Sequence, residues 1–146
     1  MLKGIHPLLT SDLLRCLAAM GHGDEIAIVD ANFPARRLGP VVIDIAGASA
    51  PQVLAAVLTV LPLDTDTVPA AVTMQVIGDA DAVPAAVAEF TALLTEQDAG
   101  ATQIGKLDRM SFYERARGAA AIVRTGELRP YGNVILVKGV VNEYGA

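Results

Sequence analysis

The chain of 146 residues has no tryptophan, one cysteine and two histidines, and its aromatic residues amount to only 4%. A lone thiol excludes a disulfide framework within the chain and any metal site built from paired cysteines. Cys16 lies among Leu13, Leu14 and Leu17, so it reads as a small buried hydrophobe rather than a nucleophile. Charge is scarce as well: 18% of the residues are Asp, Glu, Lys or Arg, the net charge is −5, and the basic residues are scattered. A protein that tracks phosphates needs a basic stripe, so nucleic acid is not an expected partner. No apolar run reaches the roughly 18 residues a membrane span requires. The richest stretches are broken by Pro51, Pro62, Pro69 and Pro84 or by carboxylates. The opening Met1–Pro7 lacks the apolar core of a secretion signal, and a soluble cytoplasmic protein with no membrane partner is expected. There is no P-loop, no Gly-x-Gly-x-x-Gly after the first strand and no His-Glu-x-x-His. No nucleotide, metal or other cofactor is therefore expected.

Against these shortages, 53% of the chain is hydrophobic, mostly Ala, Val, Leu and Ile. That is the material of helices layered on a sheet. The length fits one domain, residues 1–146, with no internal repeat and no linker. Helices with so little charge cannot all have polar outer faces, which favours a homo-oligomer that hides area in subunit contacts.

Thr10 and Ser11 can cap a helix from about Asp12 to Met20, whose Leu13, Leu14 and Leu17 share a face and which Gly21 stops. Ile26–Val29 reads as a strand buried on both sides, and Val41–Ile45 as a second strand. Ser49 and Pro51 open a helix to about Val60. Ala71–Ile77 is a strand, Pro84 to about Gln97 an amphipathic helix, and Gln103–Leu107 a further strand. Ser111 and Glu114 match a capping box at the start of a short helix to about Arg117, placing Arg109 just before the cap. Ala120–Val123 and Val134–Lys138 are the last strands, joined by a loop. This alternation predicts an α/β fold, a single three-layer α/β/α domain with a mixed, mostly parallel central sheet.

Polar chemistry concentrates at a few positions. His22 stands between Gly21 and Gly23, a turn that leaves the imidazole uncrowded. Histidine is the natural proton-transfer group near neutral pH, although a turn histidine with no task fits this sequence equally well. Asp30 closes a buried strand, where ligands of open α/β sheets gather, but an aspartate capping a turn is as common there. Arg109 precedes a helix start, and Tyr131-Gly132-Asn133 forms a polar turn before the last strand. From Ile26 to Asp30 a strand advances roughly 13 Å, so His22 and Asp30 lie at its opposite ends. They can share one small ligand through a doubled-back loop or, as expected here, a site between subunits.

The segments Leu2–Leu9, Met20–Ile26, Asp30–Ala35, Phe112–Ala116 and Thr125-Gly126-Glu127 with Tyr131-Gly132-Asn133 together resemble the ribose pyranase / fucose mutarotase (RbsD/FucU) family. The resemblance covers essentially the whole chain. It implies a cofactor-free isomerase that interconverts anomers or ring forms of a free monosaccharide, in rings of subunits, pentamers or decamers, with each site completed by a neighbour. It implies His22 as the proton donor, and Asp30, Arg109, Tyr131, Gly132 and Asn133 as sugar-binding residues. Arg at position 109 resembles the L-fucose branch, whereas the ribose branch usually has His there. Asn32 stands where fucose-branch members often have His. The competing expectations are a D-ribose pyranase and a non-catalytic monosaccharide-binding or transport-accessory protein.

Overall fold

A computed structural model describes residues 1–67, 69–97 and 103–143. In chain order the elements are α1 (Ser11–Ala19), β1 (Glu25–Val29), α2 (Ala35–Leu38), β2 (Val42–Ile45), α3 (Ala50–Leu58), β3 (Ala71–Met74), α4 (Ala85–Gln97), β4 (Ile104–Leu107), α5 (Arg109–Arg117), β5 (Ala121–Thr125) and β6 (Val134–Val137).

Side chains from alternate strand positions point to opposite faces, and the sheet uses both. Ile26 and Ile28 of β1, Val123 of β5 and Leu136 of β6 meet Leu13, Leu54, Phe90 and Leu94 of α1, α3 and α4 in one core. Ala27, Val29, Ile122 and Ile135 point the other way, into a second core with Leu38 of α2 and Phe112 and Ala116 of α5. Two cores on two faces make the three layers read from the sequence.

The six strands run in the order β2-β5-β1-β6-β3-β4. β1 pairs in parallel with β5, β5 with β2, and β3 with β4, while β6 lies antiparallel between β1 and β3. The mixed, mostly parallel sheet is thus produced by one reversed strand. β5 and β6 follow each other in sequence yet flank β1, so residues 126–133 cross over the end of β1 and bring a polar turn there.

Local signals account for the helix starts. The Thr10 hydroxyl accepts a hydrogen bond from Leu13 N–H, and Ser49 and Gln52 form a reciprocal capping box with Pro51 in the first turn. One reading needs correction. The last helix is capped by Asp108, whose carboxylate accepts from both the backbone N–H and the hydroxyl of Ser111. Arg109 is therefore the first helical residue, and Ser111 lies inside the first turn instead of capping it, with Phe112 N–H already bonded to Asp108 O. In addition, Ala35–Leu38 forms a one-turn helix stopped by Gly39 at φ +95°. Pro34 offers it no side-chain cap, and one turn is too short to show helical periodicity.

Candidate functional site

The helix after β1 packs on one face of the sheet and the helix after β3 on the other. Loops that diverge in this way open a crevice at the carboxyl ends of the strands, the usual ligand position in open α/β sheets. A cleft of about 300 Å³ lies there, lined among others by Asp30, Asn32, Phe33, Arg109, Tyr131 and Asn133. Its size is at the low end for small-molecule sites, which run from about 300 to 1,000 Å³. A larger recess of about 430 Å³ beside β2 holds Asp12, Arg15 and Asp24. There Asp12 pairs with Arg15, and Asp24 caps Gly21 N–H, so its polar groups serve one another.

Within the crevice the side chains are fixed by the backbone. Asn133 Oδ1 accepts from Asp30 N–H at 2.9 Å, tying the end of β1 to the start of β6. Asp30 Oδ1 accepts from Asn32 N–H at 3.0 Å. Burial pushes the Asp30 carboxyl above its ordinary pKa, and the nearby Glu127 charge adds to this; hydrogen bonds from Asn32, Asn133 and Phe33 oppose it without cancelling it. A carboxylate held in this way is a better proton acceptor than one in water.

Tyr131 is the one non-glycine with positive φ among the described residues, at +61°. That left-handed backbone is costly for a bulky side chain and is typical of a site that must aim it. Its hydroxyl accepts from Ile77 N–H at 3.2 Å, leaving the phenolic proton free to donate into the cleft. Gly132 is buried, and a Cβ there would meet Glu127 Cγ at 2.8 Å, so its role is to let the turn pass Glu127. Gly132 does not itself line the cleft.

Arg109 and Arg129 both border the cleft but differ in their partners. Arg129 is clamped by the buried Glu127 at 2.8 and 3.0 Å and by Glu89 at 2.7 Å, and it lowers the pKa of both carboxyls. Among the described residues Arg109 has no ion pair, so its guanidinium is the one available to a ligand. Below the cleft, Phe33 packs edge-on against Phe112 and Tyr113, with centroids 5.9 and 5.3 Å apart. Met74, Ile77 and Leu128 give it an apolar wall. The sequence reading gave no role to Glu127, Arg129 or this wall; a Glu-x-Arg pair in a loop carries no sign of being a clamp.

His22 is not part of this cleft. It precedes β1, whereas Asp30 follows it, so the two stand at opposite ends of the strand. No loop doubles back to join them: residues 30–33 fold toward α2, and the Gly23 turn is pinned to Lys138 O at the far end of β6. The His22 imidazole instead meets Asp64, with Nε2 3.0 Å from Oδ1. His22, Asp64 and Asp66 are the described residues whose donor atoms could surround a metal ion, within 4.8 Å of one another. The Asp64 oxygens are already engaged by the Thr67 hydroxyl, Asp66 N–H and His22, so the trio reads as a hydrogen-bonded cluster. No helix among the described residues is long and apolar enough to cross a membrane.

The known proteins that this chain resembles share its architecture throughout. It is 47% identical to the mouse fucose mutarotase, over 97% of this chain and 95% of that one. The structure of the Streptococcus pneumoniae fucose mutarotase in complex with L-fucose superposes with a TM-score of 0.90 at 37% identity, over 96% and 99% of the two chains. Bacillus subtilis RbsD complexed with D-ribose is more distant, with a TM-score of 0.73 and 27% identity over 97% and 99%. Residues 3–141 match the model of the RbsD / FucU transport protein family. With the fold, the polar crevice and this match over nearly its whole length, the chain belongs to the RbsD / FucU family.

Proposed function

We propose that the protein is an L-fucose mutarotase, interconverting the α and β anomers of the free sugar by acid–base-assisted opening and closing of its ring. The observation that carries this reading is the convergence of Asp30, Arg109, Tyr131 and Asn133 on one cleft at the carboxyl ends of the strands. These are the groups that monosaccharide hydroxyls require: a carboxylate, an unpaired guanidinium, a phenol with its proton to give, and an amide. Similarity to relatives named for fucose, at higher identity than to RbsD, supports fucose over ribose. The wall of Met74, Ile77 and Leu128 suits the methyl group of a 6-deoxy sugar.

His22 is the proton donor, supplied by an adjacent subunit. It delivers a proton to the ring oxygen while Asp30 takes the proton of the anomeric hydroxyl, and the bond between C1 and the ring oxygen breaks to leave an open-chain aldehyde. Rotation about C1–C2 presents the other face of the carbonyl, and closure returns both protons. Arg109, Tyr131 and Asn133 hold the remaining hydroxyls, and Gly132 shapes their turn. The protein works as a cytoplasmic homo-oligomer of pentameric rings, two of which stack into a decamer. The exposed apolar side chains Ile77, Met110 and Leu128 beside the cleft are in keeping with a neighbour seated there. Saturation transfer between the anomeric resonances of L-fucose tests the reading. The protein should speed exchange and Asp30→Asn should abolish the gain; binding without faster exchange would leave a sugar-binding accessory protein instead.

A further inference from the structure

The left-handed backbone of Tyr131 belongs to a tight turn, residues 129–132, with Pro130 and Tyr131 at its two central positions. A positive φ at the second of these is the geometry of a type II turn, in which proline suits the first position and glycine the second. Here the tyrosine takes the strained place and the glycine follows it. Turning over the Pro130–Tyr131 peptide would relieve the strain, because a type I turn puts φ of the second residue at about −90°, open to any side chain. It would also swing the ring and take its hydroxyl from Ile77 N–H, 3.2 Å away. The turn keeps its costlier form only where the surroundings hold it there.

The crossover is anchored on both sides of that turn. Before it, Ala31 N–H donates to Glu127 O, Gly126 N–H to Ala48 O and the Thr125 hydroxyl to Val29 O. After it, Asn133 Oδ1 accepts from Asp30 N–H. Between these anchors the Arg129 side chain grips the turn. Its Nε and Nη2 donate to the two oxygens of Glu127 at 2.8 and 3.0 Å, Nη2 donates also to Glu89 of α4 at 2.7 Å, and its backbone N–H donates to Glu127 Oε1 at 3.0 Å. Glu127 is itself fixed: its side chain is only 4% exposed, Ala50 N–H at the start of α3 donates to its carboxylate, and Gly132 packs on its Cγ. Pro130 alone separates Arg129 from Tyr131. Its ring fixes φ at residue 130 and biases Arg129 to extended backbone, so the pair is a stiff link from the guanidinium to the tyrosine.

We infer that Arg129 is a positioning residue for Tyr131: pinned to Glu127 and to Glu89 of α4, it keeps the 129–132 turn in its left-handed form and so aims the phenol into the cleft. This deepens the mutarotase reading, on which the sugar-holding task of Tyr131 rests. Arg129 acts through the tyrosine and not on the sugar, because its guanidinium is engaged by two carboxylates. The planar fork matters, since it meets both oxygens of Glu127 in one fixed orientation.

Three variants test it, each checked for intact assembly. Arg129→Ala removes the grip and should raise KM for L-fucose about 5- to 10-fold, the scale of one lost hydrogen bond, with kcat changing less. In crystals of this variant Tyr131 should have a negative φ, with its hydroxyl away from Ile77 N–H. A Tyr131→Phe background separates aiming from general damage. If Arg129 works through the phenol, adding Arg129→Ala to Tyr131→Phe should leave KM within about twofold of Tyr131→Phe alone. Glu89→Ala, at a half-exposed position of α4, keeps the buried pair and tests the grip even if Arg129→Ala fails to fold. It should raise KM in the same direction by a smaller factor. An unmoved Tyr131 in Arg129→Ala overturns the inference, as does a full further loss in the Tyr131→Phe background or a wild-type KM in Glu89→Ala. If the wild-type protein speeds no anomer exchange, the mutarotase reading fails, and the φ of Tyr131 in the Arg129→Ala crystals still decides the role of Arg129.

Discussion

Two inactive variants, His22→Ala and Asp30→Asn, should restore each other when built into one oligomer. β1 spans Glu25–Val29, about 13 Å over its four steps at roughly 3.3 Å each. His22 lies three residues before the strand and Asp30 directly after it. A pyranose ring is only roughly 3 Å across on single bonds near 1.5 Å. One chain cannot offer both groups to one sugar, so the proposed site would take His22 from one subunit and Asp30 from its neighbour. Either variant alone disables every site and should lose the acid–base contribution, about 10²–10⁴-fold. In an oligomer co-expressed at equal amounts, each group has an even chance of being intact, so about one quarter of the sites carry both, whatever the ring size. The assay is fucose anomer exchange on the purified mixture, with mass spectrometry to show that both variants share one assembly. A mixture no faster than its parents, in confirmed mixed oligomers, would refute the composite site.

The remaining predictions concern the frame around the cleft. Phe112 and Phe90 are both fully buried, on opposite faces of the sheet. Replacing either by Leu should cost about 1–3 kcal/mol in denaturant melts, but only Phe112→Leu, which loosens Phe33 under the cleft, should also raise KM. Asp108→Ala should lower the melting temperature by uncapping α5, whereas Glu114→Ala should leave it near wild type; the reverse order would restore the Ser111–Glu114 cap. Asp64 has its pKa lowered in the folded state, so the unfolded chain binds the extra proton between about pH 2 and 4. The stability it contributes is therefore complete above pH 4 and is lost as pH falls through about 2. Melts of wild type and Asp64→Asn should converge over that range, and a constant gap down to pH 2 would contradict the assignment.

Much of this frame was legible in the sequence because its signals are local. Thr10, Ser49 and Gln52 mark helix starts by bonds that span three residues, and the unbroken apolar run of β1 shows that both its faces are covered. The length of that strand also sufficed to separate His22 from Asp30. Other features depend on pairings that spacing does not encode. The order of the strands, with β6 reversed between β1 and β3, is fixed only when the 126–133 crossover closes. Asp64 sits in an acidic loop between prolines, and nothing local tells that its carboxylate meets an imidazole 42 residues away. Ser111 and Glu114 carry a capping signal in the sequence, yet Asp108, directly after β4, takes the role. The strain at Tyr131 was hidden for a different reason: a tyrosine before a glycine gives no sign that it, rather than the glycine, takes the positive φ.

The central claim is that this cleft catalyses exchange between fucose anomers, and saturation transfer on L-fucose and D-ribose, run side by side at the same protein concentration, addresses it directly. The account predicts faster α/β exchange for L-fucose, loss of that gain in His22→Ala, and a smaller effect on ribose. Acceleration of ribose alone, or of neither sugar by a correctly assembled protein, would contradict it.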